Sequence, residues 1–412
     1  MIVILRKVAG VTGLKVLAAF LLLGFNAQIT RSLGAEVAGQ FFIVLMWMEI
    51  LSSLSRLGVD NSVLKINSRA NISNEQQSSF FIVSVIASVI LSLLFSVSLY
   101  FYSTELGAPL LRKVSIFFTL VLIVAFTVVN ITSKAMQGRG EVILSQFLLS
   151  VATLFCFIIL VNLLSIEANF SSYVEIYSLC LGLSATLSLL YFTIKYISPK
   201  IDLISSLKLY KSSALPLYSV VIVGLIAQWI GQLTLSLNNS PQEVAIFAVA
   251  SRASIIVSFL LLAVNSVVAP KYSYFWAEGD KEKLSNLIVL VNRILLLVGV
   301  TVFTLILVFS NIVMGLFGED FETYGYILSI LAFGQLVNIV TGSVGMLLIM
   351  SDHEREYRYI IVKSTVIFIP VTLILVFGLG LLGAAISTAL FIACKNIMCL
   401  FSVRKLLKIR LY

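Results

Sequence analysis

Six ionisable side chains fall inside stretches that are otherwise apolar: Lys15, Glu49, Arg252, Arg293, Lys363 and Lys395. A charge held at the centre of a bilayer costs about 2.5–3.5 kcal/mol on insertion scales, so its retention points to a function. Five of the six are cations, and their chemistry is anion binding. Arg offers a planar fork of donors and Lys a mobile point charge. Depth separates them. Lys15, Arg293 and Lys363 lie a few residues from one end of their apolar stretches, where long stems can carry the charge to the interface. Glu49 lies about twelve residues from the other end, Arg252 about nine and Lys395 about thirteen, beyond the reach of a stem to a headgroup. The same stretches hold amides able to line a watery cleft: Asn26, Gln28, Gln228, Gln232, Gln335 and Asn338. Gln228 and Gln232 are spaced i,i+4 and so share a helix face beside Trp229. Hydrogen bonds between helices are an equally good use for these amides.

The elements that must position these groups follow from composition. Of the 412 residues, 60% are hydrophobic and 11% charged, against about 45–50% and about 25% in an ordinary soluble domain. Mean hydropathy is +1.08. A water-soluble fold is excluded, and the few charges leave no basic face for nucleic acid despite the net +9. The apolar runs are long and do not alternate, which favours membrane helices of about 20 residues over barrel strands of about 10. The sequence predicts an all-α integral membrane protein with twelve transmembrane helices. Its spans lie near 12–30, 37–57, 80–102, 114–133, 142–166 and 173–196, then near 213–236, 243–269, 288–311, 326–350, 359–380 and 382–403. The longest connections, near 57–79, 197–212 and 270–287, are too short for a soluble domain. No cleavage site follows the first apolar stretch, which reads as a span and not as a signal peptide. Cys156, Cys180, Cys394 and Cys399 all fall inside spans and show neither metal spacing nor a disulfide framework.

Orientation follows from the basic residues, because Lys and Arg resist translocation. With both termini cytoplasmic, twenty of the 28 basic residues lie in cytoplasmic segments and three (Arg31, Arg112, Lys113) in outer ones, the remaining five being the buried cations above. Shifting a single span degrades this asymmetry, so it supports the count of twelve as well as the direction.

A repeat divides the chain into a six-helix bundle at 1–197, a cytoplasmic linker at 198–212 and a second bundle at 213–412. Glu36-Val37-Ala38 and Glu243-Val244-Ala245 stand at the start of the second helix of each half, and polar breaks at Gln137–Glu141 and Ser351–Arg355 also correspond. Glu49 and Arg252 fall at comparable depth in these matching helices. Glu49 therefore reads either as a group that takes up a coupling proton or cation, or as the ion-pair partner of Arg252. The linker carries Ile201, Ile204, Leu207 and Leu209 among lysines, a pattern that suits a short helix resting on an anionic inner leaflet. Pro216 and Pro370, with Gly224, Gly231, Gly334, Gly342 and Gly345, would let helices bend or approach closely.

Several stretches resemble the polysaccharide flippases of the multidrug/oligosaccharidyl-lipid/polysaccharide exporter superfamily. They are Thr30–Phe41 (TRSLGAEVAGQF), Ser240–Arg252 (SPQEVAIFAVASR), Asn265–Leu284 with its proline-ended helix and Gly-Asp loop, Met314–Leu331, and Gly380–Leu390 (GLLGAAISTAL). The resemblance implies a Wzx-type flippase. Such a protein carries undecaprenyl-diphosphate-linked oligosaccharide repeat units outward across a bacterial inner membrane by alternating access, without a cofactor. It implies a lipid-linked oligosaccharide substrate and membrane lipids as partners, together with a polysaccharide polymerase and chain-length regulator. In that setting Arg252 and Lys395, helped by Arg293, Lys363 and Lys15, would meet the diphosphate, the amides the sugars, and Trp229 would stack on a sugar ring. Lipid II flippases resemble the chain less, since they typically have fourteen helices. An ion-coupled multidrug exporter of the same fold would be expected to line its cavity with acids. An enzyme fits poorly: loops are short, His353 lies in the charged turn SDHEREYR, and no phosphate-binding G-x-x-x-x-G-K-[ST] loop occurs.

Overall fold

A computed structural model of the chain describes residues 2–68, 72–106, 108–164, 167–198, 202–238 and 240–409; Arg69, Lys200, Ile201, Asn239 and Arg410 lie outside the described residues. Among the described residues all regular structure is helical. Eight helices among these residues are long and apolar enough to cross a membrane, or nine when one bent pair is taken as a single span. The protein is a multi-pass membrane protein.

Two of these helices are far too long for one crossing. Helices α1 (Ile2–Ser55) and α16 (Glu354–Leu407) each contain 54 residues, which at 1.5 Å per residue is about 80 Å, against a hydrocarbon core of about 30 Å. Both are broken at a glycine. Gly34 has φ 75° and ψ 168°, and Gly380 has φ 55° and ψ −129°. A side chain would be strained in either conformation. Past the second break the chain folds back so closely that a Cβ on Gly383 would stand 1.9 Å from the Leu375 carbonyl oxygen.

The chain divides into two compact units, Met1–Leu225 and Ile226–Tyr412. The first holds α1, α2 (Val59–Asn67), α3 (Asn74–Phe101), α4 (Ile116–Gly138), α5 (Val142–Gln146), a π-helical turn at Phe147–Val151, α6 (Ala152–Leu163), α7 (Phe170–Tyr196), α8 (Leu203–Leu209) and the start of α9 (Leu215–Leu237). Its helices turn serines inward and leucines outward. Ser84, Ser88, Ser92 and Ser96 are buried at i,i+4 spacing on α3, while Ile86, Ile90, Leu94 and Val97 are exposed. Small residues let helix backbones approach closely, and lipid solvates the leucines. An aromatic cluster of Phe25, Phe41, Phe157, Tyr173 and Tyr177 fills the interior, with ring centroids 5.0–6.1 Å apart.

The stretch expected as a connection at 57–79 is instead mostly helical. Val59, Val63 and Ile66, spaced four and three apart, bury one face of α2 in a core shared with Phe80, Phe81, Ile131, Met136 and Phe192. The turn before α2 is tight: a Cβ on Gly58 would stand 2.7 Å from the Ala214 carbonyl oxygen.

The second unit holds the rest of α9, α10 (Pro241–Ser254), α11 (Phe259–Ala277), α12 (Lys281–Gly315), α13 (Glu319–Glu322), α14 (Gly325–Val340), α15 (Val344–Met350) and α16. The expected span at 243–269 is interrupted: α10 gives way to a 3-10 turn at Ile255–Ser258 before α11 resumes. The 270–287 connection shrinks accordingly, because α11 runs to Ala277 and α12 begins at Lys281. Helices α14 and α15 form the bent pair, 41° apart. The bend turns on Gly342 (φ 78°), where a Cβ would stand 2.1 Å from Asn292 Oδ1. Gly334 on α14 brings that helix against α16, a Cβ there lying 2.8 Å from Ala389 Cα.

Candidate functional site

Within the second unit, α9 and the two limbs of α16 enclose a cleft. It is lined by Gln228 and Gly231 from α9, Thr365, Phe368 and Thr372 from the first limb, and Ser387, Thr388 and Phe391 from the second. Each helix contributes by its period. Thr365, Phe368 and Thr372 follow at three and four residues, as do Thr388, Phe391 and Lys395, so each set shares one face. Phe368 and Phe391 meet edge to face with centroids 5.8 Å apart. Lys395 is half-buried, its ammonium 5.9 Å from the Phe391 ring centroid. Gly231 makes room for this wall, since a Cβ there would stand 3.3 Å from both Thr388 Oγ1 and Phe247. The cleft encloses about 20 Å³, room for a water molecule and not for a sugar ring. Amide, hydroxyls, aromatic rings and one cation together can bind a hydroxylated, anionic molecule once the cleft opens.

The structure gathers only some of the residues expected to act together. Gln228 lines the cleft and Lys395 stands one turn from its wall, whereas Gln232 is buried and Trp229 is half-buried outside the lining set. The Trp229 indole nitrogen is buried with no hydrogen-bond acceptor among the described residues. Arg252 is half-buried in the last turn of α10, just before the 3-10 interruption, where a cation suits the negative end of the helix dipole. At the end of that interruption Ser258 donates to Gln335 Oε1 at 2.8 Å, and Asn338 donates to the same oxygen at 3.2 Å. Gln335 therefore ties α14 to the 3-10 turn, while the Asn338 bond stays within α14. Arg293 is exposed on α12 among exposed Leu290, Ile294 and Leu297. Lys363 is exposed with its ammonium 5.9 Å from the Tyr359 ring centroid. In the first unit Lys15 is exposed, Asn26 buried, and Gln28 and Glu49 half-buried, all on α1.

One polar constellation escaped the sequence reading, which used Arg56 only to orient the chain. Arg56 is 6% exposed. Its Nε donates to Asp60 Oδ2 at 2.9 Å and its Nη1 to Ser52 Oγ at 2.6 Å, while Thr127 of α4 donates to the same serine oxygen at 3.0 Å. Glu49, Ser52, Arg56 and Asp60 recur at three and four residues, one stripe running from mid-helix to the end of α1 and into α2. That spacing was the available signal. The hydroxyls of the cleft were missed for a different reason: Thr365 Oγ1 also bonds the Ile361 carbonyl at 2.8 Å, a satisfaction common to hydroxyls on any membrane helix.

A sequence family described as polysaccharide biosynthesis protein matches residues 4–276. A probable low-salt glycan biosynthesis flippase, Agl15, from Haloferax volcanii is 27% identical over 184 residues, 44% of this chain and 39% of that protein. The chain thus aligns with well under half the length of that relative. Among solved structures, lipid II flippase MurJ in an inward closed conformation superposes with a TM-score of 0.78 at 15% identity, covering 96% of this chain and 87% of that one. An inward-facing multidrug resistance MATE family transporter of the MOP superfamily gives 0.73 at 18% identity, with 94% of each chain covered. At these identities the likeness is one of fold.

Proposed function

We propose that this chain, which belongs to the polysaccharide biosynthesis protein family, is a flippase for lipid-linked oligosaccharide. It carries an undecaprenyl-diphosphate-linked repeat unit from the cytoplasmic to the outer leaflet of a bacterial inner membrane by alternating access. The observation that carries the reading is the conjunction of Lys395 with a cleft of amide and hydroxyl side chains in the second unit. The family match and the relative named as a glycan flippase support it. The lipid tail needs no protein cavity, because it can stay in the bilayer while the polar head crosses.

The proposal includes twelve crossings with both termini cytoplasmic. The breaks at Gly34 and Gly380 each divide a 54-residue helix into two membrane-length limbs; α9 and the bent pair α14–α15 supply two more. Lys395 and Arg252 then meet the diphosphate or an acidic sugar, with Arg293, Lys363 and Lys15 as outlying cations. Asn26, Gln28, Gln228, Gln232 and Trp229 serve the glycan. Glu49, at the head of the Ser52–Arg56–Asp60 stripe, takes up the coupling ion. A polymerase and a chain-length regulator would act on the product at the outer face. Multidrug export on the same fold would call for an anionic cavity, and the deep charges of the second unit are cations.

Reconstitution of the purified protein with lipid-linked oligosaccharides, read by accessibility of the sugar to a membrane-impermeant reagent, tests the function. Wild type should move the glycan to the opposite leaflet, and Lys395→Ala and Arg252→Ala should not, with folding intact and partial recovery in Lys395→Arg. Wild-type rates in both alanine variants would overturn the assigned cations. Absence of movement by wild type for every lipid-linked glycan, with drug export retained, would overturn the function.

A further inference from the structure

The segment that joins α7 to α9 carries an outward face of mixed character. Helix α8 exposes Leu203, Ile204 and Leu207 to 55%, 82% and 49%, and Lys208 and Lys211 are exposed with them. Lys208 follows Ile204 by four residues and so rises from the same face. The opposite face holds the buried Ser206, while Leu209 and Tyr210 pack toward the core around Val63 and Phe80. A short helix with serine inside and three large aliphatic side chains outside reverses the pattern of a helix whose outer face meets water.

Hydrogen bonds fix how α8 lies. At its start the Ser79 hydroxyl, just inside α3, donates to the Asp202 carbonyl at 2.8 Å and accepts from the Asp202 amide at 2.7 Å. The same oxygen stands 2.9 Å from Ser206 Oγ. Just past the other end, the Tyr210 hydroxyl donates at 3.4 Å to the carbonyl of Leu57, in the turn that follows α1. The seven residues of α8 span about 10 Å, the distance between neighbouring helix axes. The start of α3 and the end of α1 therefore lie at one rim of the first unit, and α8 crosses that rim from one to the other.

At the rim of a membrane protein, hydrocarbon gives way to headgroups. Both parts of the outward face suit that boundary: aliphatic side chains dip toward the acyl chains, and lysine stems carry their ammonium groups up to phosphate. The charge is placed to match. Both lysines stand at the C-terminal end of α8 and in the turn after it. The one carboxylate of 202–211, Asp202, is at the other end, engaged by the Ser205 amide at 3.0 Å. Two exposed cations beside an aliphatic row complement a surface that is apolar below and negative above.

We propose that this face of α8 docks on anionic phospholipid, with Leu203, Ile204 and Leu207 at the acyl boundary and Lys208 and Lys211 on the headgroup phosphates. The inference goes beyond the flippase reading and does not depend on it.

The full chain in phosphatidylcholine nanodiscs, doped with phosphatidylglycerol carrying a photoreactive group near its glycerol, tests it. The same group on phosphatidylcholine is the reference. The label should fall within residues 203–211 and favour phosphatidylglycerol. Each lysine near an anionic surface contributes about fivefold to the affinity, so Lys208→Gln and Lys211→Gln should each cut the preference by that factor, and the double variant should abolish it. Ile204→Asp should remove labelling of the segment by either lipid. All three positions are exposed, so labelling elsewhere on the chain should stay as in wild type. Equal labelling of 203–211 by the two lipids, or a preference that survives in the double variant, would overturn the anionic site. No label there from either lipid, or crosslinking of the segment to a second copy of the chain instead, would overturn the lipid contact altogether.

Discussion

Glu243 and Gly380 stand against each other at the break in the last long helix. A Cβ on Gly380 would lie 3.3 Å from Glu243 Oε2, so the carboxylate rests beside the backbone where the second limb of α16 begins. No hydrogen bond reaches that oxygen among the described residues. The interaction is that of a carboxylate with the positive end of a helix, worth up to about 2 kcal/mol at a partly buried site. Glu243→Gln should therefore lower thermal stability in detergent slightly. Gly380→Ala should cost about 1–3 kcal/mol, because φ 55° with ψ −129° is a conformation that only glycine adopts without strain. Gly383→Ala should be worse than either, since its methyl would have to displace the Leu375 carbonyl. A melting series in which Gly383→Ala equals wild type would show that the two limbs do not pack as described.

The buried Arg56–Asp60 pair makes a second, opposite prediction about single and double variants. Removing one partner leaves an uncompensated buried charge, typically about 3–5 kcal/mol, whereas replacing both with apolar residues is often neutral. Arg56→Met and Asp60→Asn should each destabilise the first unit strongly, and Arg56→Met/Asp60→Leu should recover most of the loss. Additive losses in the double variant, read by denaturant unfolding of the detergent-solubilised protein, would place both residues outside a shared pair.

Much of the architecture was legible because bilayers impose length and charge rules on sequence. Runs of apolar residues mark helix after helix. The repeat at Glu36 and Glu243 points to the place where α10 meets the α16 break. What stayed hidden is which face of each helix turns inward. In water, apolar periodicity reveals the core. In a bilayer both faces are apolar, and the buried face of α3 is its serine stripe while its leucines are outside. The cost of burial in lipid singled out Lys395. It could not single out Thr365, Thr372, Ser387 and Thr388, because a hydroxyl that bonds its own helix carries no penalty. Arg56 shows the converse: a basic residue at a helix end counts toward orientation and can still be buried, paired and structural.

Those hydroxyls yield a prediction that separates glycan recognition from diphosphate recognition. Thr388→Val keeps the shape of the wall beside Gly231 and Phe391 and removes its hydrogen bond. A site built to bond a sugar hydroxyl loses about 1–3 kcal/mol when one polar partner is left unmet, roughly 5- to 150-fold in rate. Transport of the full lipid-linked oligosaccharide by Thr388→Val should fall within that range, while movement of a sugar-free polyprenyl diphosphate stays unchanged. Equal effects on both substrates would move the glycan contacts out of this cleft.

Acid should loosen the turn between α4 and α5, and Glu141 sets the sign. The Lys195 hydrogen bond, followed by that of Tyr196, holds the Glu141 carboxyl below the usual glutamate range. A carboxylate whose folded value is depressed adds stability that is fully present above the unfolded value, about 4.3 for glutamate, and is lost as the pH falls through the folded value. Asp280, bonded by the Lys283 side chain, and Asp202, capping α8 through the Ser205 backbone, are depressed in the same direction. Melting temperature should therefore hold from neutrality to about pH 5 and decline below it. Glu141→Gln should start lower at pH 7 and decline less steeply, because it has already lost what protonation removes. The other two carboxylates keep its acid limb from vanishing, and adding Asp280→Asn and Asp202→Asn should flatten it further. Parallel pH profiles for wild type and Glu141→Gln would mean that Lys195 does not bond the carboxylate in the folded protein, and the turn between α4 and α5 would lose its tie to α7.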